Sequence, residues 1–228
     1  MTRAFLFDLD GTIIDSEPVA VEAFIESYAH FGGPGAAPVE RFLAMAGRPF
    51  EEIVAAIGMP DGMVEDFRTR SRARAHRVRV FPGMRQVLTD LAMDSAAVGI
   101  ITGKDRPRAE HVLSLVGLTP LYGELVTPSD PPRPKPAPDG VHWLCERLGA
   151  TAANSVLVGD SVIDIAAGQA AGATTVACLW GAGRPADLRA AGPDLVVARP
   201  EHLGAALRPF AGWSEDRCVR ERVRKEVP

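Results

Sequence analysis

The chain has 228 residues, 46% of them hydrophobic and 24% charged, enough apolar material for a full core and a smaller second unit. Its net charge of −4 excludes a general attraction to nucleic acid or to an anionic membrane and leaves a small molecule as the expected partner. The cysteines Cys145, Cys178 and Cys218 are odd in number and far apart, which excludes a disulfide framework and a zinc site. No apolar run is long enough to span a bilayer, and Met1 leads into Phe5, Leu6 and Phe7 without a leader pattern. A cytoplasmic monomer or homodimer is therefore expected.

In chain order, short apolar runs at 4–9, 96–101, 124–126, 155–158, 174–177 and 195–197 predict strands. Helical periodicity at 84–91, 108–116, 139–148 and 163–171 separates most of them, with Gly117, Gly149 and Gly172 placed to stop helices. Such alternation predicts an α/β fold, a Rossmann-like doubly wound parallel sheet covered by helices on both faces. Between residue 16 and residue 81 the strand signal disappears, and helical patterns at 19–31, 38–45, 50–57 and 62–78 replace it. The expected organisation is an α/β core of residues 1–15 and 82–228 interrupted by an all-helical insertion, 16–81, with Phe81 to Met84 marking the return. From Trp213 onward the sequence is charged and weakly periodic, the pattern of a surface helix or a frayed tail.

Four polar clusters lie at the carboxyl ends of predicted strands, the edge at which open α/β sheets bind ligands. The first is "FLFDLDGT", in which the period of two sends Asp8 and Asp10 to one side. Gly11 permits a tight turn whose amides can cradle an anion, and Thr12 adds a hydroxyl. An acid pair abutting an apolar strand is costly unless metal or hydrogen bonds compensate. The second cluster is "GIITGK", where the Thr102 hydroxyl and the amide freed by Gly103 suit phosphate oxygens. Lys104 has two readings there, a site residue or a solvent-facing helix start. The third is "RPKPAPDG": Lys135 is flanked by Pro134, Pro136 and Pro138, which stiffen the backbone and aim the ammonium. The fourth is "VLVGDSVIDIAAG", with Asp160 and Ser161 at the strand end and Asp164 one turn into the next helix. One of these acids is expected to serve helix capping, and Asp160 to complete the carboxylate set that holds magnesium.

With "FDLDGT", "ITGK", "RPKPAPDG" and "GDSVIDIAAGQAAG" in this order, the chain resembles the haloacid dehalogenase-like hydrolases over nearly its full length. The insertion looks like that superfamily's C1-type cap, and the phosphoglycolate phosphatase-like branch is the nearest large grouping. The segment "ACLWGAGRPADLRAAGPDLVVARPEHL" is similar to phosphatase-like proteins associated with 3-amino-5-hydroxybenzoic acid synthesis in antibiotic biosynthesis. The resemblance implies that Asp8 is the nucleophile and that Asp10 is general acid and then base, its carbonyl also binding Mg2+. Thr102 and Lys135 would bind phosphoryl oxygens, Asp160 would ligate the metal, and Asp164 would support Asp160 or Lys135 from behind. Dehalogenases of the superfamily lack the second aspartate, so Asp10 implies phosphorus chemistry.

The function expected is magnesium-dependent hydrolysis of a small phosphorylated metabolite through an aspartyl-phosphate on Asp8. Two rivals share the residues: a phosphomutase that returns the phosphoryl group to a bound sugar, and a non-catalytic homologue. In the cap, "AMAGRPFEE" marks a contact loop in which Gly47 and Arg48 begin a helix and Arg48 reaches the leaving group. The arginine series Arg68, Arg70, Arg72, Arg74, Arg77 and Arg79 reads as a solvated face, because Val64, Phe67, Ser71, Ala75 and Val78 form the inward stripe.

Overall fold

The computed structural model describes residues 2–211; the charged tail from Trp213, with Cys218, lies outside them. The chain begins with β1 (Thr2–Phe7) and β2 (Ile14–Asp15), followed by four helices, α1 (Glu17–His30), α2 (Val39–Ala44), α3 (Phe50–Ala56) and α4 (Gly62–Ala73). Next come β3 (Arg79–Val80), α5 (Met84–Met93), β4 (Ala97–Ile101), α6 (Arg106–Leu115), β5 (Glu124–Val126) and α7 (Asp139–Arg147). The remainder is β6 (Ala150–Gly159), α8 (Val162–Ala171), β7 (Thr174–Cys178), α9 (Pro185–Ala190), β8 (Leu195–Val197) and α10 (Leu203–Ala211). Among the described residues no helix is long and apolar enough to cross a membrane.

Six strands form one parallel sheet in the order β5-β4-β1-β6-β7-β8. Strand β1 sits at its middle with both faces buried, and its side chains alternate accordingly. Phe5 and Phe7 enter a core cluster with Met84, Leu88 and Leu91 of α5, Leu113 of α6 and Leu203 of α10. Ala4 and Leu6 enter the opposite cluster with Val141 and Leu144 of α7 and Ala167 of α8. An apolar run that alternates between two buried faces is what a central parallel strand requires. The register then brings the strand ends level: Phe7 lies beside Ile100 of β4 and Val158 of β6. Asp8 therefore leaves the sheet next to Asp160 and close to Thr102, although more than 90 residues of chain separate it from either.

The helices α1–α4 close around a core of their own, in which Phe24, Phe42, Phe50, Ile53, Met63 and Phe67 are buried. Phe50 and Phe67 stack with ring centroids 3.7 Å apart, and Phe24 and Phe42 stack at 4.5 Å. The inward stripe expected of the arginine-rich helix is present: Val64, Phe67, Ser71, Ala75 and Val78 are all buried. Three of the arginines are ion-paired to α1, Arg70 and Arg74 to Glu26 and Arg77 to Glu22.

Several details depart from the sequence reading, among them the strand expected over 155–158, which runs from Ala150 to Gly159. The strand expected over 4–9 ends at Phe7, since Leu9 turns inward and its carbonyl accepts the amides of Ile13 and Ile14. The helix expected over 62–78 stops at Ala73 and continues as a 3-10 turn, Ala75–Arg77, which swings the chain into β3. Strands β2 and β3, not anticipated, pair antiparallel with Ile14 opposite Val80 and Asp15 opposite Arg79, so the two ends of the insertion are clasped by a short ribbon. Gly47 and Arg48 do not begin a helix. Gly47 is a turn residue at φ +87°, and α3 starts at Phe50 after Pro49.

Candidate active site

Asp8 is the first residue past β1, and its amide still donates to Val158 O at 2.9 Å. Its carboxylate is almost wholly buried. Lys135 reaches it from the proline-stiffened loop before α7, its Nζ donating to Asp8 Oδ1 at 2.5 Å, Asp164 Oδ1 at 2.6 Å and the Ile101 carbonyl at 3.1 Å. Asp164 also closes a capping box at the start of α8, where its Oδ2 accepts the Ser161 amide at 3.0 Å and the Ser161 hydroxyl at 2.5 Å. One acid thus caps a helix and anchors the lysine.

Asp160 is fixed from outside the cluster, accepting the Thr12 hydroxyl at 3.1 Å and the Ala182 amide at 2.9 Å. A Cβ at Gly11, which has φ +81°, would lie 2.2 Å from Asp160 Oδ2. Only glycine lets the first loop approach the fourth so closely. Thr102 donates its amide to Val126 O at 3.0 Å, and its hydroxyl accepts the Lys104 amide at 3.1 Å. Asp10 accepts the Ser16 hydroxyl at 2.5 Å and the Lys104 ammonium at 3.0 Å.

The electrostatics follow from burial. Carboxylate oxygens of Asp8, Asp160 and Asp164 lie within 4.8 Å of one another, and Lys135 is the ammonium among them. Burial, only partly offset by Lys135 and reinforced by Asp164 and Asp160, raises Asp8 well above the ordinary carboxylate range. Burial and the Asp164 charge push Asp160 up to about 7. For Lys135 burial opposes the charge, but Asp164 and Asp8 outweigh it and keep the ammonium protonated. Burial would likewise raise Asp10, yet Lys104 and the Ser16 hydroxyl prevail and hold it below the usual range. Fully ionised, the inner cluster has three negative charges against one positive, and its ligand atoms are hard oxygens. A divalent cation such as magnesium fits this excess.

Outside the cluster, a cavity of about 110 Å3 opens beneath the helical insertion. Its floor is formed by Asp8, Asp10, Gly11, Thr102, Gly103 and Lys104, and its roof comes from α2, α3 and α4. Gly47 and Arg48 lie on its wall. The turn at Gly47 rests directly on the second motif: a Cβ on Gly103 would be 2.3 Å from the Gly47 carbonyl. Arg48 is partly exposed and paired to Glu52 at 3.1 Å.

The structure thus brings Asp8, Asp160, Asp164, Ser161, Thr12 and Lys135 into one buried network, and Asp10, Gly11, Thr102 and Gly103 to its open side. Sequence reasoning left Lys104 undecided and did not single out Ser16, Arg108 or the loop after β7. Ser16 and Lys104 both contact Asp10. The Arg108 side chain pairs with Asp105 at 2.5 Å and lies 5.2 Å from the Phe67 ring. Trp180 Nε1 donates to Thr12 O at 3.1 Å. The lone signal for Lys104 was its rarity, one lysine of three in a chain with 25 basic residues.

Residues 5–178 match the family described as haloacid dehalogenase-like hydrolase. The plasmid phosphoglycolate phosphatase of Cupriavidus necator is 32% identical, covering 90% of this chain and 93% of its own. Pyrophosphatase PpaX of Bacillus velezensis is 29% identical over 88% of this chain and 94% of its own. A family hydrolase from Deinococcus radiodurans, solved with bound phosphate and sodium, superposes with a TM-score of 0.73 at 29% identity, covering 92% and 96% of the two chains. With the four motifs at adjacent strand ends and the family match spanning three quarters of its length, the chain belongs to the haloacid dehalogenase-like hydrolases.

Proposed function

We propose that this protein is a magnesium-dependent phosphatase that hydrolyses a small phosphorylated metabolite through an aspartyl-phosphate, the acyl phosphate of Asp8. The observation that carries this reading is the Asp8–Lys135–Asp164 network with Asp160 beside it, opening onto a cavity that also receives Asp10. The names of the relatives, phosphatases and pyrophosphatases, support the class of reaction.

A magnesium ion would be held by Asp8, Asp160 and the Asp10 backbone carbonyl, and would supply neutralisation of the phosphoryl charge. Asp164, already engaged by Lys135 and Ser161, orients rather than ligates. Thr102, the amides around Gly11, Thr12 and Gly103, and Lys135 bind phosphoryl oxygens. An Asp8 oxygen attacks phosphorus in line, the bond to the ester oxygen breaks, and Asp10 protonates the departing alcohol. Asp10 then takes a proton from a water that attacks the same phosphorus, which releases inorganic phosphate and restores the Asp8 carboxylate. Asp10 must hold a proton for the first step although Lys104 and Ser16 favour its ionised form. A dianionic ester competes for Lys104 as it enters, which frees Asp10 to become protonated. Residues 16–81 serve as the cap that excludes water.

The test is release of inorganic phosphate from a panel of esters with magnesium, using wild-type protein and Asp8→Asn. Turnover is expected from wild type only; activity in Asp8→Asn within a few-fold of wild type would sink the reading. Isomer formation exceeding phosphate release would favour the mutase instead.

A further inference from the structure

The cavity has two chemically different ends, and the outer one bears on the substrate's organic part. From α2, α3 and the turn between them, its wall is made of Leu43, Ala46, Phe50 and Ile53, with Phe42 and Phe67 behind. No Ser, Thr, Asn, Gln or Tyr side chain of α2–α4 lines it, so the hydroxyls of a sugar would find polar side chains only in the charged groups and in Ser16 and Thr102 of the inner end.

Three cations do reach the wall, and each has a carboxylate partner. Lys104 is on Asp10 at 3.0 Å, Arg108 on Asp105 at 2.5 Å and Arg48 on Glu52 at 3.1 Å. Glu17 adds a carboxylate of its own to the lining. With Lys104 engaged by the phosphoryl group, a second anionic group on the substrate, such as a carboxylate or another phosphate, would have to displace a carboxylate from Arg108 or Arg48. Among the three, Arg48 has the most exposed pair, with side chains 38% and 42% exposed, and is the one a carboxylate could recruit. The cavity, with a volume of about 110 Å3, has room for one ring or a short chain against this wall.

Resting on the phosphatase reading, we propose that the substrate is a monophosphate ester of an apolar alcohol, aromatic or short aliphatic, seated against Leu43, Phe50 and Ile53. This sets the chain apart in specificity from relatives named for phosphoglycolate and pyrophosphate. Phosphoryl transfer to Asp8 then releases an alcohol that leaves toward an apolar wall, so the reaction that supplies the substrate is the phosphorylation of such an alcohol.

Benzyl phosphate and 2-phosphoglycolate are both esters of primary alcohols, so comparing them isolates recognition of the ring against recognition of the carboxylate. With magnesium, kcat/KM for benzyl phosphate is expected to exceed that for phosphoglycolate, pyrophosphate and glucose 6-phosphate by about tenfold or more. Leu43→Arg, at a half-buried position, is expected to cut turnover of benzyl phosphate by about tenfold and raise that of phosphoglycolate, with the melting temperature little changed. Calorimetry on the magnesium-loaded protein supplies an assay without turnover: benzylphosphonate should bind at least about tenfold more tightly than methylphosphonate. A preference for phosphoglycolate, pyrophosphate or the sugar phosphate, or equal binding of the two phosphonates, overturns the inference. Tighter binding of benzylphosphonate with no ester hydrolysed would instead refute the phosphatase reading and leave the apolar pocket standing.

Discussion

At Lys135 one ammonium meets two carboxylates, Asp8 at 2.5 Å and Asp164 at 2.6 Å, with all three side chains nearly shut off from water. Removing one partner from such a buried set leaves charge without compensation, at a cost of about 3–5 kcal/mol. Lys135→Met is therefore expected to lose activity and also to melt well below wild type. Magnesium should recover part of the stability loss, as seen by thermal denaturation with and without the ion. Asp8→Asn removes a charge from the same crowded cluster, so its melting temperature should equal or exceed that of the wild type while kcat falls by at least about a thousandfold. An Asp8→Asn protein that is both inactive and unfolded would not support the assignment. The identities of Asp8 and Asp160 were legible in the sequence because these acids abut apolar strands, and that of Lys135 because prolines flank it. Lys104 was not, since a lysine after a turn faces solvent in one fold and a carboxylate in another. Its side chain is 13% exposed here and paired with Asp10.

Among the elements, the turn at Gly47 matters most, because its carbonyl fills the space above Gly103. Gly103→Ala would push a methyl into that carbonyl at 2.3 Å, so the turn must retreat. The expected result is a rise in KM and a fall in kcat/KM of about tenfold or more, with the sheet and its melting temperature little affected. Steady-state kinetics beside a thermal melt would check this, and unchanged kinetics would mean that the turn plays no part in closure. A weaker bridge is Arg68 of α4 to Asp105 at the start of α6, at 3.1 Å and partly exposed. Arg68→Ala should cost about 1 kcal/mol or less, measured by denaturant unfolding. At this scale the long periodic helices and the apolar strands were legible in the sequence, for their patterns run over several turns or alternate between two buried faces. The β2–β3 ribbon was not, because two residues carry no period. The break at Arg74 and the turn at Gly47 also escaped, since tertiary contacts rather than local propensity end those helices.

For the molecule as a whole, the buried acids link stability to pH and to metal. Asp160 is raised from 3.8 to about 7, and Asp8 is raised too, so the folded protein holds protons that the unfolded chain releases. Metal-free stability should therefore fall as pH climbs from about 4 to about 7. Magnesium stands in for those protons, so the gain in melting temperature that it gives should grow over the same interval. Differential scanning calorimetry at several pH values checks the sign; a magnesium effect that is constant from pH 5 to pH 8 would contradict it. The parallel sheet was legible because alternating strands and helices admit few topologies, and with it the convergence of four distant motifs. The shape of the cavity was not, since its roof depends on how α2, α3 and α4 pack on one another.

Trp180 touches both halves of this arrangement. Its indole nitrogen is bound to the Thr12 carbonyl of the first loop, and its ring meets Phe81, just past the ribbon, edge to face at 6.5 Å. An indole so placed is a native optical gauge: any swing of the ribbon against the loop after β7 alters the polarity around it. With Trp143 and Trp213 replaced by Phe, emission from this one fluorophore should report in real time whether the ribbon shifts as ligand arrives, with no attached dye.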